Sequence, residues 1–178
     1  MSGFVLRAAT DADLPAIQAI YAHHVLHGLG TFEETPPDLA EIAARRKAVV
    51  EKGLPWLVAD AGGEILGYAY AGPFRPRSAY RFAVEDSIYV APSAARRGVG
   101  KALLAELLTR CAAWGARQMV AVIGDSGNAG SIGVHSALGF ANMGKIAGVG
   151  FKHGRWVDVV IMQKALGDGM TTLPAQGR

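Results

Sequence analysis

Apolar and polar positions change period several times along this chain, and each change predicts an element. Residues 4–8 alternate as a first strand. Thr10 then opens a helix, with Asp13 three residues on completing a capping-box pattern and Leu14, Ile17, Ile20 and Tyr21 forming the buried stripe. A loop through Gly28, Gly30, Thr31, Phe32 and Glu33 ends at Pro36-Pro37, and Asp38 caps a second helix reaching about Lys52. Residues 56–59 and 65–71 read as strands around a Gly62-Gly63 turn, a hairpin signal. Residues 72–77 are a Pro- and Arg-rich loop, and 82–90 are a third apolar strand that stops at Pro92. From Gly98 the period becomes helical. Val99, Leu103, Leu107 and Cys111 share one face, beside Leu104 and Leu108. Residues 119–123 do not alternate and are β-branched, as in a central strand buried on both faces. A helix over 128–138 and strands near 141–147 and 157–162 follow. The elements predict a mixed α+β layer architecture in one domain, residues 1–166, with 167–178 as a loose tail.

Composition narrows the class. Of the 178 residues, 51% are hydrophobic and 19% charged, enough to bury a core and inconsistent with intrinsic disorder. The net charge of +3 is spread along the chain, which points away from nucleic acid. The lone Cys111 excludes an internal disulfide framework and a cysteine zinc site. No apolar run reaches the ~18 residues of a membrane span, and residues 1–10 lack the apolar stretch of a signal peptide. The expected setting is cytoplasmic, with no membrane partner. His23, His24 and His27 share a helix, but H-E-x-x-H is absent and no carboxylate completes a site, so no metal is expected there.

The segment from Val90 to Lys101 joins a strand to a helix N-terminus, where main-chain N–H groups lack intrahelical partners and the helix dipole adds positive charge. Such a turn binds anions. Gly98 and Gly100 let a phosphate approach the backbone, with Val99 between them, and Arg96, Arg97 and Lys101 surround it with charge. A Walker loop does not fit, because Ala95 stands at its first glycine and Ala102 at its hydroxyl position. A dinucleotide fingerprint needs a glycine where Leu103 sits. A tight turn whose glycines only satisfy backbone geometry remains the alternative.

The turn resembles the pyrophosphate loop [QR]-x-x-G-x-[GA] of the GNAT superfamily of acetyl-CoA-dependent N-acetyltransferases. Gly98 and Gly100 match it, and Ala95 departs from it, which bears on cofactor affinity. Further blocks resemble the phosphinothricin and methionine sulfone or sulfoximine acetyltransferase branch. They are residues 72–81 with 84–90, Thr31-Phe32-Glu33, Asn128-x-x-Ser131-x-x-x-His135-x-x-x-Gly139-Phe140, and Gly150-Phe151-Lys152-x-Gly154-Arg155-Trp156-x-Asp158. The resemblance implies a mostly antiparallel central sheet flanked by helices on both faces. It also implies a homodimer with the acceptor pocket near the subunit interface.

Acetyl transfer needs a neutral amine, a polarised thioester carbonyl and a stabilised or protonated thiolate. The resemblance makes Glu85 the general base, directly or through water, and burial beside apolar neighbours would raise its basicity. A strand-edge Glu paired with Arg77 or Arg81 is the plainer reading. His135 falls where many superfamily members carry a Tyr that protonates the thiolate; imidazole can do that, relay a proton, or simply pack under Phe140. Asn128 caps the helix and, with Ser131, is placed by the resemblance at the cofactor. Ile88, Tyr89 and Val90 present main-chain groups that can pair with the peptide-like pantetheine arm or hold an oxyanion. Arg75 and Arg77 flank Pro76 and suit an acceptor carboxylate or phosphinate, with a solvated loop stiffened by Pro76 as the plainer reading. Asp86 and Ser87 complete the implied acceptor site, and Phe32 either walls it from the loop after the first helix or simply staples that loop down. The expected reaction is direct acetylation of the α-amine of a small amino-acid-like acceptor. Two alternatives stand beside it, a protein N-terminal acetyltransferase and a non-catalytic acyl-CoA sensor.

Overall fold

The structure is a computed structural model and describes residues 3–174. After β1 (Val5–Ala8) a short turn of 3-10 helix at Asp11–Asp13 leads into α1 (Leu14–His27), so the α-helix itself starts later than Thr10. The capping box forms as expected: the Thr10 backbone N–H and hydroxyl both donate to the Asp13 carboxylate, at 2.7 and 2.9 Å. Arg7 grips the same carboxylate with two bonds of 2.7 Å, tying β1 to the helix entry. The Arg7 hydrogen bond holds Asp13 far below the usual carboxylate range.

Next come α2 (Leu39–Val50), capped by Asp38, then β2 (Trp56–Ala61), β3 (Glu64–Pro73) and β4 (Ala83–Val90). The longest helix, α3 (Val99–Trp114), is followed by β5 (Gln118–Gly124) and α4 (Ala129–Ala137), and the fold closes with β6 (Ala141–Lys152) and β7 (Arg155–Ala165). The strands form one sheet in the order β1-β2-β3-β4-β5-β7-β6, with helices on both faces. Every neighbour pair is antiparallel except β4 with β5. Val99, Leu103, Leu104, Leu107 and Cys111 are all buried, so the stripe read from α3 is the one that meets the sheet.

The last hairpin is much longer than its expected pieces at 141–147 and 157–162. Glycines that read as breaks are absorbed as register shifts within a continuous ladder, with Gly144 and Gly148 at positive φ. His153 and Gly154, both at positive φ, make the two-residue turn. Beyond β7, residues 167–174 run in turns, and Arg117 donates to the Thr172 hydroxyl at 2.8 Å and the Leu173 carbonyl at 3.2 Å. Residues 175–178 of the expected tail lie outside the described residues.

Candidate active site

β4 and β5 are paired for only a short stretch, Ala83–Glu85 against Gln118–Val120. Beyond it each strand keeps only its outer neighbour, β3 or β7, and the two diverge. Their main-chain groups in the split have lost their ladder partners and need others. A cavity of about 370 Å³ occupies the split, lined by residues Glu85 to Val90 on one side and Ala121 to Gly124 on the other. Because side chains alternate along a strand, one wall of it is built from each face of β4.

Tyr89 points to α1, with its ring 4.9 Å from Tyr21 and 5.5 Å from His24. Glu85 and Ser87 share that face by the period of two. Glu85 is half-buried, and its carboxyl is raised above the ordinary glutamate value by burial, with nearby Arg75 lowering it and Asp86 raising it. On the opposite face Asp86 meets His135 of α4, whose Nε2 lies 2.9 Å from Asp86 Oδ2 while Nδ1 lies 2.7 Å from the Ser131 carbonyl. Burial works to lower the His135 pKa, but the hydrogen bond and charge of Asp86 outweigh it and hold the imidazole above its usual value. Phe140 stands edge-on to the ring at 4.9 Å.

At the far end of β4 the chain turns into α3. Gly98 adopts φ +79°, left-handed backbone that an L side chain resists, and a Cβ added there would meet open space. The turn is thus set by conformation and exposes its backbone. Arg96, Arg97, Gly98 and Lys101 are exposed, whereas the Val99 side chain is core. Asn128 accepts from the Ser131 N–H at 3.1 Å, capping α4 beside the cavity.

The α1–α2 loop forms the remaining wall through Gly30 and Thr31. Lys152, buried on β6, donates to the Thr31 carbonyl at 2.8 Å, and Tyr21 shares a 2.9 Å bond with the Thr31 hydroxyl. Phe32 packs so closely on Gly150 that a Cβ there would lie 2.7 Å from its Cζ.

The Acetyltransferase (GNAT) family profile matches residues 17–140. The chain belongs to that family. It is 55% identical over 169 residues, 95% of this chain and 86% of the other, to a phosphinothricin N-acetyltransferase of Alcaligenes faecalis. It is 46% identical to an L-methionine sulfoximine/L-methionine sulfone acetyltransferase of Pseudomonas paraeruginosa, covering 89% of this chain and 92% of that one. A GNAT phosphinothricin acetyltransferase of Sinorhizobium meliloti in complex with acetyl-CoA superposes with TM-score 0.95 at 51% identity, covering 99% of this chain and 95% of that chain. The GNAT chain described here is therefore an acetyl-CoA-dependent N-acetyltransferase, and its fold class is the one the motifs implied. Its own structure fits that cosubstrate: unpaired strand edges face the split, and an exposed glycine turn at a helix N-terminus closes its end.

The cavity brings together Glu85, Asp86, Ser87, Ile88, Tyr89, Val90, Gly100, Asn128, Ser131 and His135. Arg75, Pro76 and Arg77 instead line a second cavity of about 580 Å³ with Phe74, Tyr80 and Trp114, and both arginines are solvent-exposed. The reason is in the ladder: this loop joins Pro73 of β3 to Ala83, at the end of β4 that still pairs with β5, whereas the split opens beyond Glu85. Cys111 is buried, which pushes its thiol up to about 12 and removes it as a nucleophile. Sequence reasoning missed His24, whose Nε2 is 2.9 Å from the Val90 carbonyl at the cavity wall. The signal was available, because His24 falls three residues after Tyr21 and seven after Ile17, on the face already read as buried.

Proposed function

We propose that this enzyme acetylates the α-amine of small amino-acid-like acceptors of the phosphinothricin, methionine sulfone and methionine sulfoximine type, with Glu85 as the general base. The observation that carries the reading is the placement of one half-buried, basicity-raised carboxylate where the β4–β5 ladder ends. An acyl-pantetheine arm laid along residues 86–90 would set its thioester next to that carboxylate, with the diphosphate at Gly98 to Lys101. The amine nitrogen attacks the thioester carbonyl, its proton passes to Glu85, a main-chain N–H of the split holds the oxyanion, and the C–S bond breaks to release the thiolate. No metal and no acetyl-enzyme enter this sequence.

Phe32, Ser87, Arg75, Pro76 and Arg77 complete the proposed acceptor side. The charge of Arg75 reaches Glu85 although its side chain lines the neighbouring cavity, so a carboxylate held there would lie within the field of the base. A homodimer belongs to the same reading. β6 is an edge strand, and Met143, Ile146, Val149, Phe151 and Trp156 of its hairpin are exposed, an apolar surface that a second copy would cover. We place the enzyme in the cytoplasm, where acetyl-CoA and free amino acids meet.

The test is an acceptor screen with acetyl-CoA, following release of free thiol. Turnover of phosphinothricin and methionine sulfone, with peptide amides at least tenfold poorer, is the expected result. Preference for peptide N-termini would replace the proposed acceptor class. Saturable binding with no turnover on any amine would make the protein an acyl-CoA sensor.

A further inference from the structure

Both ring nitrogens of His135 are committed inside the protein. Nδ1 lies 2.7 Å from the Ser131 carbonyl, which only accepts, so Nδ1 carries a proton. Nε2 lies 2.9 Å from Asp86 Oδ2, and that contact also needs a proton between its two atoms. Burial works against a charge on the ring, but the hydrogen bond and charge of Asp86 outweigh it and raise the imidazole above its usual value, which puts this proton on the ring. The pair is then an imidazolium beside a carboxylate, with net charge zero. It is closed to solvent, with His135 3% and Asp86 8% exposed. Asp86 Oδ1 has no partner among the described residues, so His135 is the group that compensates the carboxylate. Cys111 of α3, an uncharged thiol, and Glu85 on β4 itself also lie within electrostatic reach of Asp86.

We propose that Asp86 and His135 are positioning residues sharing a locked proton, which ties α4, with Ser131 and the Asn128 cap, to β4 beside Glu85, and which is not passed to the departing thiolate. The proton balance of the transfer does not need His135. Glu85 takes the amine proton, the C–S bond breaks, and the thiolate, conjugate to a thiol of pKa about 8.5, takes its proton from water. The neutral pair has a second consequence: because the Asp86 charge raises the Glu85 pKa, an uncompensated Asp86 would keep the base protonated to higher pH.

The proposal rests on the acetyl-transfer reading, but its first test needs no turnover. In ¹⁵N-labelled enzyme the His135 ring should carry protons on both nitrogens at neutral pH, above the ordinary imidazole value of about 6.5, and should lose one in Asp86→Asn. A ring with a single proton at neutral pH overturns the proposal. The second test is a double-mutant cycle on kcat/KM. His135→Gln strands a buried carboxylate and should lose about tenfold or more, whereas adding Asp86→Asn restores a neutral hydrogen-bonded pair and should recover about tenfold of that loss. If His135 is the acid, the double variant stays as impaired as His135→Gln. Should the double variant not fold, the leaving group decides. A loss in His135→Gln that is the same for acetyl-CoA and for an acetyl thioester of a more acidic thiol supports positioning, and a loss that shrinks with the more acidic thiol refutes it.

Discussion

Glu85→Gln preserves the size of the side chain and its capacity to hydrogen-bond, and removes only its ability to take a proton. General-base catalysis contributes about 10² to 10⁴ in rate, or roughly 3 to 5 kcal/mol of barrier, and kcat should fall by that factor with KM for acetyl-CoA unchanged. The pH profile gives a sharper check. Burial raises the Glu85 pKa, so the acid limb of kcat/KM should lie above the ordinary glutamate value of about 4.3. Arg75 lowers that pKa, so Arg75→Gln should move the limb upward. Because Arg75 is exposed, its charge is worth about 0.2 to 1 kcal/mol, which corresponds to a shift of about 0.1 to 0.7 pH units. Raising ionic strength to about 1 M should shift the wild-type limb in the same direction, since screening then acts within about 3 Å. An added loss on the plateau of kcat/KM, carried by acceptor KM, would be the mark of an Arg75 that also holds the acceptor carboxylate. Steady-state thiol release across pH measures all of this. Activity of Glu85→Gln within about threefold of wild type would refute the assignment of the base.

Three other perturbations probe the frame around that carboxylate. Gly98→Ala meets no steric obstacle but must hold φ near +79°, at a cost of about 1–2 kcal/mol. KM for acetyl-CoA should rise while acceptor KM stays fixed. Gly150→Ala forces Phe32 off the β6 hairpin, so acceptor KM should rise and thermal stability fall; Phe32→Ala in the same chain should return part of the lost Tm, which calorimetry would show. Leu107→Ala empties a fully buried position on α3 and should cost about 2–5 kcal/mol in denaturant unfolding with kcat unchanged in the folded fraction.

What the chain disclosed by pattern and what it withheld divide along physical lines. The α3 stripe was legible because a 3.6-residue period is a local property and its burial follows directly: Val99, Leu103, Leu107 and Cys111 all face the sheet. The Gly98 turn was legible for the same reason, since left-handed backbone is a demand on one residue. The β6–β7 hairpin was underestimated because glycine weakens a strand in isolation, whereas a long antiparallel partner absorbs it as a bulge. The active-site split left no trace in either strand. Residues 82–90 read as an apolar strand and 119–123 as a buried central one, and the cavity exists only because their pairing stops after Glu85 and Val120, which is a property of two segments together. The same holds for Lys152. It lies beyond the strand expected near 141–147, and the structure buries it beneath the loop that carries Phe32, where the Thr31 carbonyl offers the ammonium an acceptor 121 residues away in sequence. A motif can mark such residues, but only the packed chain shows that one of them anchors the loop between α1 and α2 and that another, His135, has both ring nitrogens engaged within the protein.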